Sequence, residues 1–539
     1  MVKLRFSLLL SFAFFFVSCT KKSSSASKQN VLRMRLEAEP PTIDWTTATD
    51  ALSRDVIVTL HEGLVRMDKE GKIIPNFAES WKIGSSGKVF TFKLRANLKW
   101  SDGSPLLAQQ FVDAVERTLT PKVASEYAYF LFDIENAENF FNGKETNFSK
   151  VGVKAPDSNT VVYTLRSPAP YWINVPAFSV TYPIRKDLIA QLGDRWTEAG
   201  KLVTAGPYQL REWVRESKLS LVKNPYYWDQ EAQKKNFDEI EFRVIKENAV
   251  AVTLFERKEV DIVRKLSPLQ VPMLSKKEPG FTKSAYLRSM AFGFGMKNPL
   301  TKDKRVRMAL AMSVDRAQIK KFMSDLVEPT QSWIPEGLLG ADSQRGMSYN
   351  PEKAKKLWAE IKNPPNKGLE YWYPNDEMHK MVAEFLQSEW KKNLGIDVAL
   401  VAQEWKVFLK SAATQDLPIF RQGWGADYAD SNNFLDMFTC NSGNNYPKYC
   451  NAGYEKLLRE ALNTQKAEAR SALYSKAEKM LIEEDVAIAP IFQENNLFLV
   501  NPRLKGFAAN KMGEFRLADV NFQEQNEGNG NVISDKINK

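Results

Sequence analysis

Histidines, cysteines and the common catalytic motifs are scarce in this sequence. Two histidines and three cysteines occur among 539 residues, and there is no Cys-x-x-Cys pair. The Gly-x-Ser-x-Gly, His-Glu-x-x-His and P-loop patterns are also missing, which leaves few candidates for a nucleophile, a catalytic metal or a phosphate site. We therefore expect no bound metal, no cofactor and no enzymatic activity. A hydrolase is the alternative class, and a turnover assay would distinguish it.

Long hydrophobic runs are missing too, apart from one near the N-terminus. The run from Ser7 to Val17 follows a cationic start and is too short to span a bilayer, but it is typical of a signal peptide. Phe16-Val17-Ser18-Cys19 resembles a bacterial lipobox with Phe16 in place of leucine, although a cysteine after an ordinary signal peptide is the alternative. We expect a signal peptide at 1–18, a lipidated Cys19 with a polar tether at 19–30, and attachment to a membrane through lipid only.

Two cysteines remain in the body of the chain, Cys440 and Cys450. One leftover pair in an exported chain favours a disulfide across these ten residues. A metal site would need more ligands than these cysteines and the two histidines supply.

The rest of the composition is that of a globular protein. The chain is 43% hydrophobic and 26% charged, and its length suits about three domain-sized units. Lys and Arg number 75 against 65 Asp and Glu, a net charge of +10. Because the cations are spread along the chain rather than gathered in a stripe, we do not expect nucleic-acid binding.

Local patterns predict strands and helices in alternation, an α/β layering. The expected elements are a strand over 31–37, hairpin arms at 80–83 and 88–94 around the turn at 84–87, a helix ending near Leu119, a helix over 352–361 capped by Asn350, a helix from Asn375-Asp-Glu377 to Lys391-Lys392, and a strand over 396–401.

The most informative segment is 418–430, where two opposite charges stand alone. Arg421 and Asp427 lie close to Trp424 in a mostly apolar stretch punctuated by glycines. A buried ion without a partner loses its hydration without compensation. Two such charges suit a ligand that brings both complements, and a short zwitterionic peptide is one. Surface groups or a structural ion pair are the alternative.

Four blocks, in order along the chain, resemble one known family. They are Ala78-Glu-Ser-Trp81 through Lys99-Trp-Ser-Asp-Gly-Ser-Pro105, Ala205-Gly-Pro-Tyr208 with Lys223-Asn-Pro-Tyr-Tyr-Trp-Asp229, Asp303-Lys-Arg-Val-Arg307 with Asp315-Arg316, and Tyr349-Asn-Pro-Glu-Lys-Ala354. They resemble the peptide-binding bacterial extracytoplasmic solute-binding proteins, of the oligopeptide permease type. The resemblance covers roughly residues 31–520.

The resemblance implies a peptide site. Asp427, in Trp424-Gly-Ala-Asp-Tyr428, would take the peptide amine, and Arg421 and His379 would serve the carboxylate. The further candidates are Trp405, in a side-chain pocket, Trp424, Glu39 near the ligand, and Asn444 and Asn445. Two positions depart from the family: Ala412 replaces a second arginine, and Gly425 with approximately Arg288 replaces a cysteine pair that joins the lobes of some relatives.

The resemblance also implies a fold and a role. The fold would be an α/β Venus flytrap, with two lobes, a hinge near 285 and 495, and an extra α/β domain on the N-terminal lobe. The expected bounds are 31–52, 181–285 and 495–522 for lobe I, 53–180 for the extra domain, 286–494 for lobe II and 523–539 for a polar tail. The role would be a monomeric receptor that captures short peptides for the permease and ATPase subunits of an ABC importer. The alternatives are dipeptide or cell-wall (murein) tripeptide binding, and peptide signalling without transport.

Overall fold

The computed structural model describes residues 30–523, apart from 363, 366 and 367. The predicted signal peptide, Cys19 and nearly all of the predicted tether and polar tail lie outside these residues.

The described residues form an α/β structure. Its helices are α1 (Ala51–Leu60), α2 (Gln109–Leu119), α3 (Ala137–Phe141), α4 (Lys186–Leu192), α5 (Gln230–Lys234), α6 (Asn248–Glu256), α7 (Val271–Lys277), α8 (Lys304–Met312), α9 (Lys320–Met323), α10 (Pro351–Ala359), α11 (Glu377–Leu394), α12 (Trp405–Thr414), α13 (Asn432–Leu435), α14 (Ala452–Leu462) and α15 (Ala467–Lys479). Its strands are β1 (Val31–Leu36), β2 (Val65–Met67), β3 (Ile73–Pro75), β4 (Ala78–Ile83), β5 (Val89–Leu94), β6 (Val153–Asp157), β7 (Thr160–Thr164), β8 (Tyr208–Val214), β9 (Lys218–Lys223), β10 (Glu239–Val244), β11 (Ile262–Arg264), β12 (Phe281–Phe294), β13 (Val327–Pro329), β14 (Glu370–Pro374), β15 (Ala399–Gln403), β16 (Ile419–Gly425), β17 (Ile488–Val500), β18 (Leu504–Lys505) and β19 (Asn521–Phe522). Short 3-10 helices and one turn of π-helix (Met480–Glu484) complete the list.

The ends of α11 follow from its sequence. The Asp376 side chain accepts a hydrogen bond from the backbone N–H of His379, which caps the first turn, and Gly395 ends the helix in the left-handed conformation. The buried face carries Val382, Leu386 and Trp390, as the apolar spacing predicts. The strand expected over 396–401 begins later, at Ala399, because the chain first crosses from the helix to the sheet.

One mixed sheet runs through both lobes. Its strand order is β15-β14-β16-β12-β17-β11-β1-β10-β9-β8, with β13 on the side of β17. The long antiparallel strands β12 and β17 connect its two halves, and their register shifts between the pairs Ala285↔Asn495 and Ser289↔Gln493. The predicted hinge positions coincide with this irregularity, and the hinge itself stays a prediction.

Separate hydrophobic cores give the architecture of two lobes with an extra domain. One core contains Trp45 and Trp196 beside β1, and a second contains Trp390 beside β14. A third surrounds Trp172 against the antiparallel sheet β4-β5-β7-β6. The domain bounds stay a prediction. Helix α1 lies mostly within the range predicted for the extra domain, 53–180, but its Val56, Ile57 and Leu60 pack in the same core as β1 of lobe I.

Candidate functional site

Strand β16 presents the candidate site. Its pairing with β12 runs from Ile419 to Gly425 and places Arg288 opposite Gly425. On its other edge β14 pairs with Ile419 and Phe420, and within the described residues no strand covers that edge further along. The period of two puts Arg421 and the two following glycines of the strand on one face. The strand therefore carries Arg421 on one face, and beyond Phe420 its backbone edge is not paired with β14.

Arg421 is buried but sparsely bonded. Its residue surface is 5% exposed, and among the described residues its Nε donates one hydrogen bond, to His379 Nε2 at 3.1 Å. Its guanidinium carbon lies 5.7 Å from the centre of the Trp405 ring. Burial, reinforced by the nearby Arg288, lowers the pKa of Arg421 to about 10. The site thus holds a cation that is poorly compensated.

His379 orients this cation. Its Nδ1 lies 2.5 Å from Asp376 Oδ2, and its Nε2 accepts from Arg421. Burial lowers the pKa of His379, although Asp376 opposes this shift. The lowered pKa keeps the ring neutral near pH 7. The neutral tautomer protonated at Nδ1 satisfies both contacts. In this arrangement His379 positions Arg421 instead of adding a second positive charge.

A second arginine lies beside the first. Arg288 Nε is 2.9 Å from Glu494 Oε1, and this carboxylate raises the pKa of Arg288. Gly423 leaves room for the arrangement, because a β-carbon there would collide with the Arg421 guanidinium. A β-carbon at Gly425 would meet only the Arg288 side chain, at an ordinary 3.8 Å.

Asp427 forms the opposite end of the site. Asn433 holds it on both sides: the Asn433 Oδ1 accepts from the Asp427 backbone N–H at 2.8 Å, and Nδ2 donates to Asp427 Oδ2 at 3.3 Å. The Tyr129 hydroxyl of the extra domain also faces the carboxylate. Burial raises the pKa of Asp427, which these hydrogen bonds oppose. An ammonium ion is the natural partner of such a carboxylate.

A cavity of about 550 Å³ opens beside Asp427, between lobe II and the extra domain. Trp424 lines it, and its Nε1 donates to Asn433 Oδ1 at 3.0 Å. The next residue after Asp427 crosses to the extra domain: Tyr428 is 9% exposed, belongs to that domain's core and stacks on Tyr171 with ring centres 4.8 Å apart. Lobe II and the extra domain therefore touch at the site.

The remaining candidates separate into two groups. Asn444 lines the cavity, and Trp405 lies beside Arg421 with 45% of its surface exposed. Asn445 instead uses its side chain inside its own loop, with hydrogen bonds to Thr439 and Tyr449. Glu39 accepts hydrogen bonds from Trp213, Arg215 and the backbone of Glu216, and in the described part of the chain none of its contacts is with Arg421 or Asp427.

The expected disulfide joins Cys440 and Cys450, with their Cα atoms 4.6 Å apart, in the loop that follows α13. Residues 30–523, in their described part, contain no cluster of three potential metal ligands. Nor do they contain a helix with the length and apolar character needed to cross a bilayer.

Sequence reasoning missed Asn433 and Tyr129 at the site, and it did not identify the ion pair of Arg288 with Glu494. Asn433 gave no signal, because α13 begins with two asparagines and is flanked by Ser431 and Asp436, so a further polar side chain does not stand out. Tyr129 gave none, since it lies about 300 positions before Asp427 and reaches it only through the fold.

Comparison with known proteins gives the family. The family model of bacterial extracellular solute-binding proteins, family 5 (middle region), matches residues 72–446. The chain is 33% identical over 497 residues to the periplasmic murein peptide-binding protein MppA of Escherichia coli, covering 90% of this chain and 91% of MppA. A solved structure of MppA, unliganded and open, superposes with a TM-score of 0.80 over 92% of this chain and 98% of that one, at 31% identity.

Two further relatives come from the same organism. The periplasmic oligopeptide-binding protein OppA is 34% identical over 469 residues, 85% of each chain. YgiS, described as a probable deoxycholate-binding periplasmic protein, is 32% identical over 510 residues, 93% of this chain and 94% of YgiS. The family model and these relatives each match most of the chain. The chain therefore belongs to the bacterial extracellular solute-binding proteins, family 5.

Proposed function

We propose that this protein is an extracytoplasmic receptor that captures short peptides between its two lobes and delivers them to an ABC importer. The observation that carries the proposal is the pair Arg421 and Asp427. Both are held on or just after one strand, and each is bonded to a neutral residue, His379 or Asn433, rather than to the other. Such a pair complements the two termini of a peptide.

The spacing supports a short peptide. The Arg421 guanidinium lies against Gly423, four positions before Asp427, and β16 ends at Gly425. Four fully extended residues, roughly 13 Å, are therefore the longest separation that this stretch of backbone allows between the two anchors. In the described residues β14 pairs with β16 only at Ile419 and Phe420, so the edge beyond Phe420 offers backbone pairing, which binds peptides without reading their side chains.

Names of relatives leave more than one ligand class open, and the charges favour peptides. A bile acid such as deoxycholate has one carboxylate and an apolar body, so Asp427 would stay without a cation. A cell-wall tripeptide, the ligand named for MppA, is the second candidate. Ala412, buried where the oligopeptide permease type is expected to carry another arginine, indicates that recognition of the peptide carboxylate differs from that type.

Isothermal titration calorimetry on protein stripped of ligand by unfolding and refolding tests the proposal. We expect micromolar binding of trialanine and at least a tenfold loss on N-acetylation of the peptide or in Asp427→Asn. Asp416→Asn removes an exposed carboxylate from the same lobe and is the matched control. Tight deoxycholate binding without peptide binding would refute the proposal, and equal affinity for free and acetylated peptide would refute the role of Asp427.

The anchor, the domain division and the monomeric state belong to the same proposal. Lobe I would comprise 31–52, 181–285 and 495–522, with the extra domain at 53–180 and lobe II at 286–494. Cys19 would carry the lipid that attaches the protein to a bacterial membrane. Mass spectrometry of the mature N-terminal peptide tests the anchor: a lipid-modified Cys19 is expected, and an unmodified N-terminus would exclude it. Peptides recovered unchanged after incubation would support a receptor without enzymatic activity.

A further inference from the structure

The cavity beside Asp427 has more acidic side chains in its lining than the peptide amine alone would pair with, and Arg421 is not one of its lining residues. Besides Asp427 it is lined by Asp133, Asp436 and Glu455, and by two cations, Arg166 and Arg459.

Most of these charges already have partners. Arg166 lies 2.9 Å from Glu138 and 3.8 Å from Asp133, and Arg459 lies 3.6 Å from Glu455. The ammonium group of a bound peptide would neutralise Asp427. Asp436 is then left as the one lining carboxylate, among the described residues, with no cation beside it.

Next to Asp436, a buried polar atom of Asn432 lacks a hydrogen-bond partner. Asn432 is 3% exposed, and its Nδ2 donates to Tyr428 Oη at 3.2 Å and to Asp436 Oδ2 at 3.1 Å. Its Oδ1 has no hydrogen-bond partner in the described structure. A buried acceptor without a donor costs free energy, and a ligand N–H would relieve that cost.

We propose that this cavity takes the side chain of the peptide's first residue and selects a cationic one, lysine or arginine, through Asp436 and Asn432. The inference rests on the proposed function, because it needs the peptide amine at Asp427. The first side chain branches from the carbon that bears this amine, so it starts at the mouth of the cavity. Lysine and arginine carry donors and positive charge at the end of a long stem, which complements the unsatisfied Asn432 Oδ1 and the Asp436 carboxylate.

The electrostatics agree with this geometry. Burial, together with Asp427, Asp133 and Asp430, raises the pKa of Asp436 to about 7. A negative charge is therefore costly at Asp436 in the empty cavity, and an incoming cation would remove part of this cost. An acidic first side chain would add a further negative charge to the same space and should be rejected.

Calorimetry with three peptides tests the inference: Lys-Ala-Ala, norleucine-Ala-Ala, which has a similar stem without charge, and Glu-Ala-Ala. At pH 8 and low salt we expect wild-type protein to bind the lysine peptide roughly tenfold more tightly than the norleucine peptide, and the glutamate peptide most weakly. In Asp436→Asn the lysine preference should fall below about twofold. Asp416→Asn, with the same change of net charge, should keep it.

Each result decides something. Equal affinity of wild-type protein for the lysine and norleucine peptides overturns the inference, as does a tenfold preference that survives in Asp436→Asn. If Asp436→Asn does not fold, the comparison of the two peptides on wild-type protein still decides. Trialanine separates the two proposals: trialanine binding without a lysine preference refutes only this inference, whereas no peptide binding refutes the proposed function as well.

Discussion

Replacing Arg421 by methionine should stabilise the empty protein while it weakens peptide binding. Burial and the neighbouring Arg288 lower the pKa of Arg421 to about 10, a shift that corresponds to roughly 3 kcal/mol against the charged form. Methionine removes this cost and loses one hydrogen bond to His379, worth about 1 kcal/mol. After loss of the stacking near Trp405, we expect a net gain of about 1–2 kcal/mol in the free energy of unfolding.

Arg316 is the matched control. Its pKa is also lowered to about 10 by burial, and it is also 5% exposed. Its guanidinium, however, donates to backbone carbonyls, among them Pro490 at 2.6 Å and Met347 at 3.1 Å. Arg316→Met removes a similar cost but leaves four buried or part-buried carbonyls without donors, at about 1–3 kcal/mol each, so we expect a net loss of about 1 kcal/mol or more.

Thermal unfolding of ligand-free protein, followed by tryptophan fluorescence, measures both effects. Arg421→Met should raise Tm by about 1–3 °C without peptide, and should lose most of the stabilisation that saturating trialanine gives the wild type. Arg316→Met should lower Tm. If Arg421→Met lowers Tm in the absence of peptide as Arg316→Met does, the reasoning that the site is held charged at the expense of stability is refuted.

Three further predictions use other features. Gly423→Ala should push the Arg421 guanidinium aside and weaken trialanine binding roughly tenfold by calorimetry, whereas Gly425→Ala, whose β-carbon has room, should change it less than twofold. Burial lowers the pKa of His61 from 6.5 to about 3, so the unfolded chain takes up the proton first and stability is lost as pH falls from 6.5. His61→Phe should therefore show a pH 7 to pH 5 loss of stability about 2 kcal/mol smaller than the wild type in urea titrations, and an equal loss would contradict this. Cys440→Ser with Cys450→Ser should cost about 3 kcal/mol of loop entropy, seen as a lower Tm, and reducing agent should then have no further effect on the variant.

Local patterns predicted local structure well. The hairpin arms appear as β4 and β5 around Gly84–Gly87, and Asn350 caps α10. Each depends on neighbours within a few residues, where turn and cap preferences act directly. The disulfide was predicted from counting cysteines alone, and the structure contains it.

The site depended on contacts that a single sequence does not reveal. His379 and Arg421 are 42 positions apart, and only family resemblance brought them into one hypothesis before the fold joined them. Neither the support of Asp427 by Asn433 nor the charge balance around Asp436 could be read from spacing, because both follow from how the extra domain meets lobe II. Glu39 shows the converse, since its carboxylate is occupied by the turn after β8.

Asp427 and Tyr428 are consecutive residues, but their side chains lie in different parts of the molecule. Asp427 faces the space for the ligand, while Tyr428 lies in the core of the extra domain and stacks on Tyr171. Withdrawal of the extra domain from lobe II would pull Tyr428 from its neighbours and move Asp427 with it. Under the proposed function, separation of lobe II from the extra domain would therefore also displace the carboxylate proposed for the peptide amine.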